Sequence, residues 1–101
     1  MTANLMPPIH PGEILREDYL VPLGMSAHAL AMALHVPAPR INDIVRERRG
    51  VSPDTALRLA RFFDTSAQFW LNLQSAYDLK QVERDAGLLI KEQVRPFQKT
   101  A

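Results

Sequence analysis

Residues 26–46, SAHALAMALHVPAPRINDIVR, constrain the fold more than any other stretch of this chain. Their apolar positions recur at intervals of three or four, which places them on one face of each of two short helices. A small residue, Ala31, falls where two such helices come closest, because a larger side chain would push them apart. The pattern predicts a helix-turn-helix whose inner positions are Leu30, Ala31, Leu34, Val36, Ile41 and Ile44.

The ends of the two helices carry residues that suit them. Ser26 is a good N-cap, because its hydroxyl accepts an N–H of the first helical turn. Pro37 and Pro39 are tolerated in the first turn of the second helix, where the N–H groups have no intrahelical partner. The turn has His35 where glycine is usual, so we expect a histidine in the left-handed conformation.

The second helix presents polar and charged side chains outward, which is typical of a helix that reads the major groove of DNA. Arginine pairs with guanine, asparagine with adenine, and aspartate accepts from cytosine. Arginines just after the helix suit phosphate, as does the start of the first helix. The expected DNA-contacting set is Ser26, Ala38, Pro39, Arg40, Asn42, Asp43, Arg46, Arg48 and Arg49. The alternative is an ordinary solvated polar surface.

Charge distribution supports the DNA interpretation. The net charge of the 101-residue chain is only +1, but residues 37–61 contain six arginines against three acidic residues. Basic side chains therefore concentrate on the second helix and the segment after it. The chain has no cysteine, no apolar run long enough to span a membrane and no signal-peptide pattern at its start, so we expect a cytoplasmic protein that does not contact membranes.

Patterns of catalysis and of metal binding are missing from the sequence. His10, His28 and His35 are not at metal-ligand spacing with other ligands, and no nucleophile triad, phosphate loop or HExxH occurs. The sequence predicts no enzyme activity, no metal site and no cofactor.

The remaining chain has helical periodicity throughout, so we expect an all-α fold. Helices are predicted over residues 11–21, over 53–63 with Ala56, Leu57, Ala60 and Phe63 inward, and over 67–79 with Phe69, Trp70, Leu73, Ala76 and Tyr77 packed together. Gly50 is expected to cap the second helix of the motif. A weaker helix, interrupted by Gly87, is expected over 82–94, with a frayed end at 96–101. The predicted organisation is a flexible arm at 1–9, a helix-turn-helix domain at 10–80 and a C-terminal helical extension at 81–101.

Three motifs occur in order along the chain: HPGEIL before the helix-turn-helix, RINDIVRERRGVSPDTALRLARFF from its second helix onward, and FWLNLQSAYDL after that. In this order they resemble the HigA-type antitoxins, XRE-like proteins also called virulence-associated protein I, over residues 9–80. The resemblance implies a five-helix, lambda-repressor-like DNA-binding domain with a C-terminal helical extension. It also implies a homodimer that represses its own operon at an operator and binds a small, basic, mRNA-cleaving toxin of the HigB or RelE type.

Two further surfaces follow as expectations. The acidic first helix offers Glu13, Glu17 and Asp18 to a basic toxin, away from the DNA-contacting helix. Apolar residues with no inward role predict a symmetric dimer interface at Leu79, Val82, Leu89 and Ile90. A plain XRE-type regulator without a toxin remains an alternative, as does a helical adaptor that binds only protein.

Overall fold

A computed structural model describes residues 7–98, and within this range the chain forms five helices and no strand. Helix α1 consists of three continuous segments, Pro11–Ile14, Leu15–Leu20 and Val21–Leu23. The other four are α2 (Ala27–Leu34), α3 (Ala38–Val45), α4 (Pro53–Phe63) and α5 (Ala67–Gln93). The expected all-α fold is confirmed. Residues 1–6 of the predicted arm and 99–101 of the predicted frayed end lie outside the described range.

Helix α1 extends two residues beyond its predicted end, through a proline. Its middle segment, Leu15–Leu20, is π-helical, and the N–H of Val21 donates to the oxygen of Arg16, five residues earlier. Pro22 has no N–H, and its ring would clash with the carbonyl four residues before it in a regular α-helix. The wider π turn relieves that clash and lets the helix continue. Gly24, left-handed at φ 61°, then ends α1.

Serines begin three of the helices. The Oγ atoms of Ser26, Ser52 and Ser66 each accept the N–H three residues later, at 3.0, 3.3 and 3.0 Å. Each bond satisfies one N–H that the helix itself cannot pair. His35 is left-handed at φ 58° and ends α2, as the sequence predicts. The helix-turn-helix thus has the predicted start and turn.

The core lies where the five helices meet, and all of them contribute buried residues to it. Leu15, Leu30, Ile41, Ile44, Leu59 and Trp70 are fully buried. The indole N–H of Trp70 donates to Thr65 Oγ1 at 2.9 Å, so its polar edge is satisfied at the helix start. Tyr19 of α1 packs on Trp70 with ring centroids 5.2 Å apart. These contacts fasten α1 to the long last helix.

The inward faces predicted for α4 and α5 are each wrong by a rotation about the helix axis, which displaces three residues. Leu57 was expected inward, but it is 64% exposed, and Leu59 fills the core instead. Phe69 lies at the edge, touching the rim of Trp70 with centroids 5.0 Å apart, and remains partly exposed. Ala76, expected with them, is exposed as well. The inward face of each helix is set by the two neighbours it packs between, which sequence periodicity alone does not reveal.

The end of α3 also differs from the prediction. Gly50 is not the left-handed cap; Arg46 is the C-cap residue that follows α3, and Glu47 takes the left-handed position at φ 62°. Gly50 instead lies against Gln74 of α5, where a Cβ would come within 2.9 Å of the side-chain amide. Gln74 Oε1 accepts the Val51 N–H at 2.7 Å. Helix α5 therefore holds the segment that follows α3.

Helix α5 is one continuous helix of 27 residues, so the predicted break and separate helix at 82–94 are wrong. It passes through Gly87, because a single glycine costs a helix only about 1 kcal/mol relative to alanine. From residue 82 onward most of its side chains are exposed. None of the helices in residues 7–98 has the length and apolar character needed to span a membrane.

Candidate nucleic-acid interface

Helix α3 has one apolar and one polar face. Ile41 and Ile44 are fully buried against α2 and α1. The opposite face carries Asn42 and Asp43, which are half-buried, and Arg46, which is exposed. The expected second helix of the motif is therefore amphipathic in three dimensions, with donors and acceptors turned away from the core.

Helix α1 supports the end of α3. Arg16 donates from its guanidinium to the backbone oxygen of Val45, the last residue of α3. The same guanidinium lies 3.4 Å from Glu47 and 2.8 Å from Glu17. Hydrogen bonding to Glu17, and then to Glu47, raises the pKa of Arg16 above its ordinary value. A permanent positive charge thus satisfies a carbonyl at the negative end of α3.

A buried histidine fixes the start of α1 near the same place. His10 is 3% exposed, and its Nδ1 accepts the Gly12 N–H at 2.8 Å. Its ring meets Tyr77 of α5 edge-on, with centroids 4.8 Å apart. Burial lowers the pKa of His10, against a smaller opposing effect of Glu47 and Asp78. His10 is thus held neutral as a helix cap.

Acidic partners hold several of the arginines. Arg48 and Arg49 lie 3.4 and 3.6 Å from the Asp43 carboxylate. Arg40 lies 2.7 Å from Asp54 at the start of α4. Hydrogen bonds from Arg58 first, and then from Arg40, lower the pKa of Asp54 below its ordinary value. Among the described residues Arg46 forms no ion pair, so α3 presents one unneutralised arginine at its exposed end.

The predicted DNA-contacting positions come together on α3 and the turn after it, with Ser26 at the start of the adjoining α2. Of the predicted acidic set, Glu13, Glu17 and Asp18 are all exposed on α1. Glu17 shares Arg16 with Glu47, so this end of the acidic set borders the end of α3. No group of three or more His, Cys, Asp or Glu within residues 7–98 could hold a metal ion.

Sequence reasoning missed three residues that shape this surface: Arg16, Asp54 and Gln74. Arg16 and Gln74 act on backbone groups 29 and 23 residues away. Asp54 lies in the first turn of α4 and accepts from Arg40, 14 residues earlier. Such long-range pairs leave no periodic signal, although the SPD sequence at 52–54 does mark Asp54 as a residue at a helix end.

Comparison with known proteins agrees with this geometry. A helix-turn-helix family model matches residues 15–70. Virulence-associated protein I of Dichelobacter nodosus is 68% identical over 82 residues, covering 81% of this chain and 76% of that protein. Antitoxin HigA-1 of Vibrio cholerae is 33% identical over 72 residues, covering 71% and 68%.

Solved structures show the same likeness. Pseudomonas aeruginosa antitoxin HigA, solved with the higBA promoter, is 55% identical with a TM-score of 0.88, covering 90% of this chain and 99% of that one. Antitoxin GraA in complex with its operator is 50% identical with a TM-score of 0.90, covering 98% and 100%. Both neighbours are antitoxins solved with DNA.

Proposed function

The chain belongs to the helix-turn-helix family that includes the HigA-type antitoxins, and we propose that it represses its own operon and neutralises a HigB- or RelE-type toxin. The family consists of DNA-binding regulators and not of enzymes. The observation that carries the proposal is α3, whose apolar face is buried while its polar face stays accessible. Repression then follows from occupancy of DNA, with no chemical step.

In this proposal α3 enters the major groove of operator DNA. Arg40 and Arg46 contribute base contacts; no carboxylate among the described residues pairs with Arg46, and Arg40 keeps N–H donors free beside Asp54. Arg48 and Arg49, both exposed, contact phosphate and place the protein on the duplex. The start of α2 at Ser26 offers backbone N–H groups to a neighbouring phosphate.

A homodimer is part of the proposal, because one helix-turn-helix contacts too few bases for selectivity in a genome. On α5 the face opposite Trp70 is polar at first, with Gln68, Asn72 and Ser75, and becomes apolar from Leu79 onward. The apolar part of this face, the α5 stripe, consists of Leu79, Val82, Leu89 and Ile90, all exposed in a single chain. A second copy would bury it.

The stripe spans the boundary between the proposed DNA-binding domain, residues 10–80, and the proposed extension, residues 81–101. Its members fall within about 100° of the helix circumference, the width of an apolar face that packs on one partner. Since α5 is continuous, a dimer formed through the stripe would hold both domains rigidly. That rigidity suits two recognition helices that must meet successive major grooves.

The toxin half of the proposal rests on the acidic residues of α1. Glu13 and Asp18 are exposed and form no ion pair among the described residues. A small basic toxin would find complementary charge there. Because Arg16 links Glu17 to the end of α3, a toxin bound on α1 would lie beside the DNA-contacting surface rather than far from it. The proposed complex forms in the cytoplasm.

Two experiments separate the proposal from its alternatives. In a gel-shift titration, the DNA upstream of this chain's own gene should bind more tightly than a shuffled duplex of equal length. Equal binding would contradict specific repression and leave a protein-binding adaptor. The neighbouring small basic reading frame should be toxic, rescued by this chain and co-purified with it. If that frame is harmless or does not co-purify, a plain XRE-type regulator remains.

A further inference from the structure

We propose that Asp54, on α4 and outside the helix-turn-helix, is a specificity-determining positioning residue that orients Arg40 toward a guanine of the operator. This inference rests on the proposed function, because it takes Arg40 to be a base-reading residue. It assigns to the start of α4 a part in sequence discrimination.

The Asp54 carboxylate is held from two sides. Its Oδ2 accepts from Arg40 of α3 at 2.7 Å and from Nε of Arg58 at 2.9 Å. Arg58 is itself anchored, because its NH1 donates to the backbone oxygen of Leu34, at the end of α2, at 2.8 Å. One carboxylate thus connects both helices of the helix-turn-helix to α4. The position of the Asp54 carboxylate therefore depends on the Leu34 backbone oxygen that anchors Arg58, and not on flexible side chains alone.

Holding Arg40 this way leaves it able to read a base. Arginine has five N–H donors in a planar fork. The bond to Asp54 uses one hydrogen of NH1, so the other hydrogen of NH1 and those of NH2 remain for the O6 and N7 atoms of guanine. The Arg40 side chain is 31% exposed, which is enough to present one edge of the fork. A long side chain ordered before binding loses less entropy when it binds.

Sequestration of Arg40 by Asp54 is the opposing interpretation. It predicts that removing the Asp54 charge releases Arg40 and tightens binding to the operator. If Asp54 instead positions Arg40, removing the Asp54 charge should weaken binding to the operator and to no other sequence. Removal of a negative charge beside the DNA surface should strengthen binding to any sequence slightly, whereas loss of orientation should weaken only the specific complex.

The experiment measures the binding of D54N, R40A and the double variant to two duplexes, the chain's own upstream promoter and a shuffled sequence of equal length. D54N should bind the promoter about two- to tenfold more weakly and the shuffled duplex no more weakly than the parent does. In the R40A background, D54N should no longer weaken promoter binding, because its effect passes through Arg40.

D64N is the matched control. Asp64 ends the same helix in the left-handed conformation, which asparagine tolerates, and its replacement changes the net charge equally. D64N should leave the promoter preference unchanged. Tighter promoter binding by D54N, equal weakening on both duplexes, or an undiminished D54N effect in R40A would each overturn the positioning role. If R40A itself has no effect, the base-reading assignment of Arg40 fails instead.

Discussion

Gly12 of α1 meets the backbone oxygen of Ile44 in α3 so closely that a Cβ on Gly12 would overlap with it. The overlap involves backbone on both sides, so no side-chain rotation can relieve it. We therefore expect Gly12→Ala to separate α1 from α3 and to lower the free energy of unfolding by about 1–3 kcal/mol. Urea unfolding followed by circular dichroism measures this change.

Gly87→Ala is the matched control for that substitution. A Cβ on Gly87 would meet only the Cβ of Glu83, at 3.9 Å, an ordinary contact. The backbone there is helical, so alanine should favour α5 by about 0.5–1 kcal/mol. If Gly12→Ala does not change the free energy of unfolding, the close approach of α1 to α3 at Gly12 is not needed for stability.

Stability should depend on pH through His10. Burial lowers its pKa below the ordinary 6.5, so the unfolded chain binds a proton more readily than the folded one. The stabilising contribution is complete above pH 6.5 and is lost as the pH falls through the lower folded pKa. The proton would also remove the acceptor that caps Gly12.

His10→Asn tests this dependence, because asparagine is a good N-cap that does not titrate. Unfolding free energies measured from pH 8 to pH 5 should fall more steeply for the parent than for the variant. The difference between the two curves isolates His10 from the exposed His28 and His35. Parallel curves would mean that His10 is not held neutral in the fold.

The dimer proposal predicts opposite results for two neighbouring leucines of α5. Leu89 belongs to the α5 stripe, whereas Leu88 lies on the other side of the helix; they are 53% and 76% exposed. Leu89→Asp should raise the dimer dissociation constant at least about 100-fold, since a symmetric interface loses about 1.5–3 kcal/mol at each of two copies. Leu88→Asp should remain dimeric. Sedimentation at several concentrations compares them, and a dimeric Leu89→Asp would place the interface elsewhere.

The variant that tests toxin binding should leave Glu17 unchanged, because Glu17 pairs with Arg16, which contacts the end of α3. The double variant Glu13→Lys, Asp18→Lys reverses charges that have no such pair among the described residues. It should slow association with the basic toxin, most strongly at low salt, and leave promoter binding equal or slightly tighter. Stopped-flow association rates at two salt concentrations measure this. Unchanged rates would exclude Glu13 and Asp18 as toxin contacts.

Local chemistry made much of the fold predictable. The Ser26 cap, the prolines at the start of α3 and the left-handed His35 each follow from the residues within one helical turn. The structure departs from the predictions where packing against distant helices determines which residue is buried or left-handed. Leu59 replaces Leu57 in the core because of how α4 packs against its neighbours. Glu47 takes the left-handed position, whereas Gly50 packs against Gln74 of α5.

In the candidate site, too, some features could be predicted from nearby residues and others could not. The polar face of α3 could be predicted from the spacing of Ile41 and Ile44. The ion pairs that control its arginines could not, since Arg40 and Asp54 meet only when α3 and α4 are packed together. A helix over 67–79 and a separate, weaker helix interrupted by Gly87 were expected, but α5 runs through both points, because the surrounding helical residues outweigh one glycine.

The most direct test of the central claim is the promoter preference of Arg46→Ala, measured by fluorescence anisotropy on the chain's own upstream duplex and on a shuffled one. Arg48→Ala, expected to contact phosphate, should weaken both complexes alike and lower the salt slope by about one unit. Arg46→Ala should weaken the promoter complex by about 1–3 kcal/mol and the shuffled complex much less. If Arg46→Ala leaves the promoter preference intact, α3 is not the helix that reads the DNA.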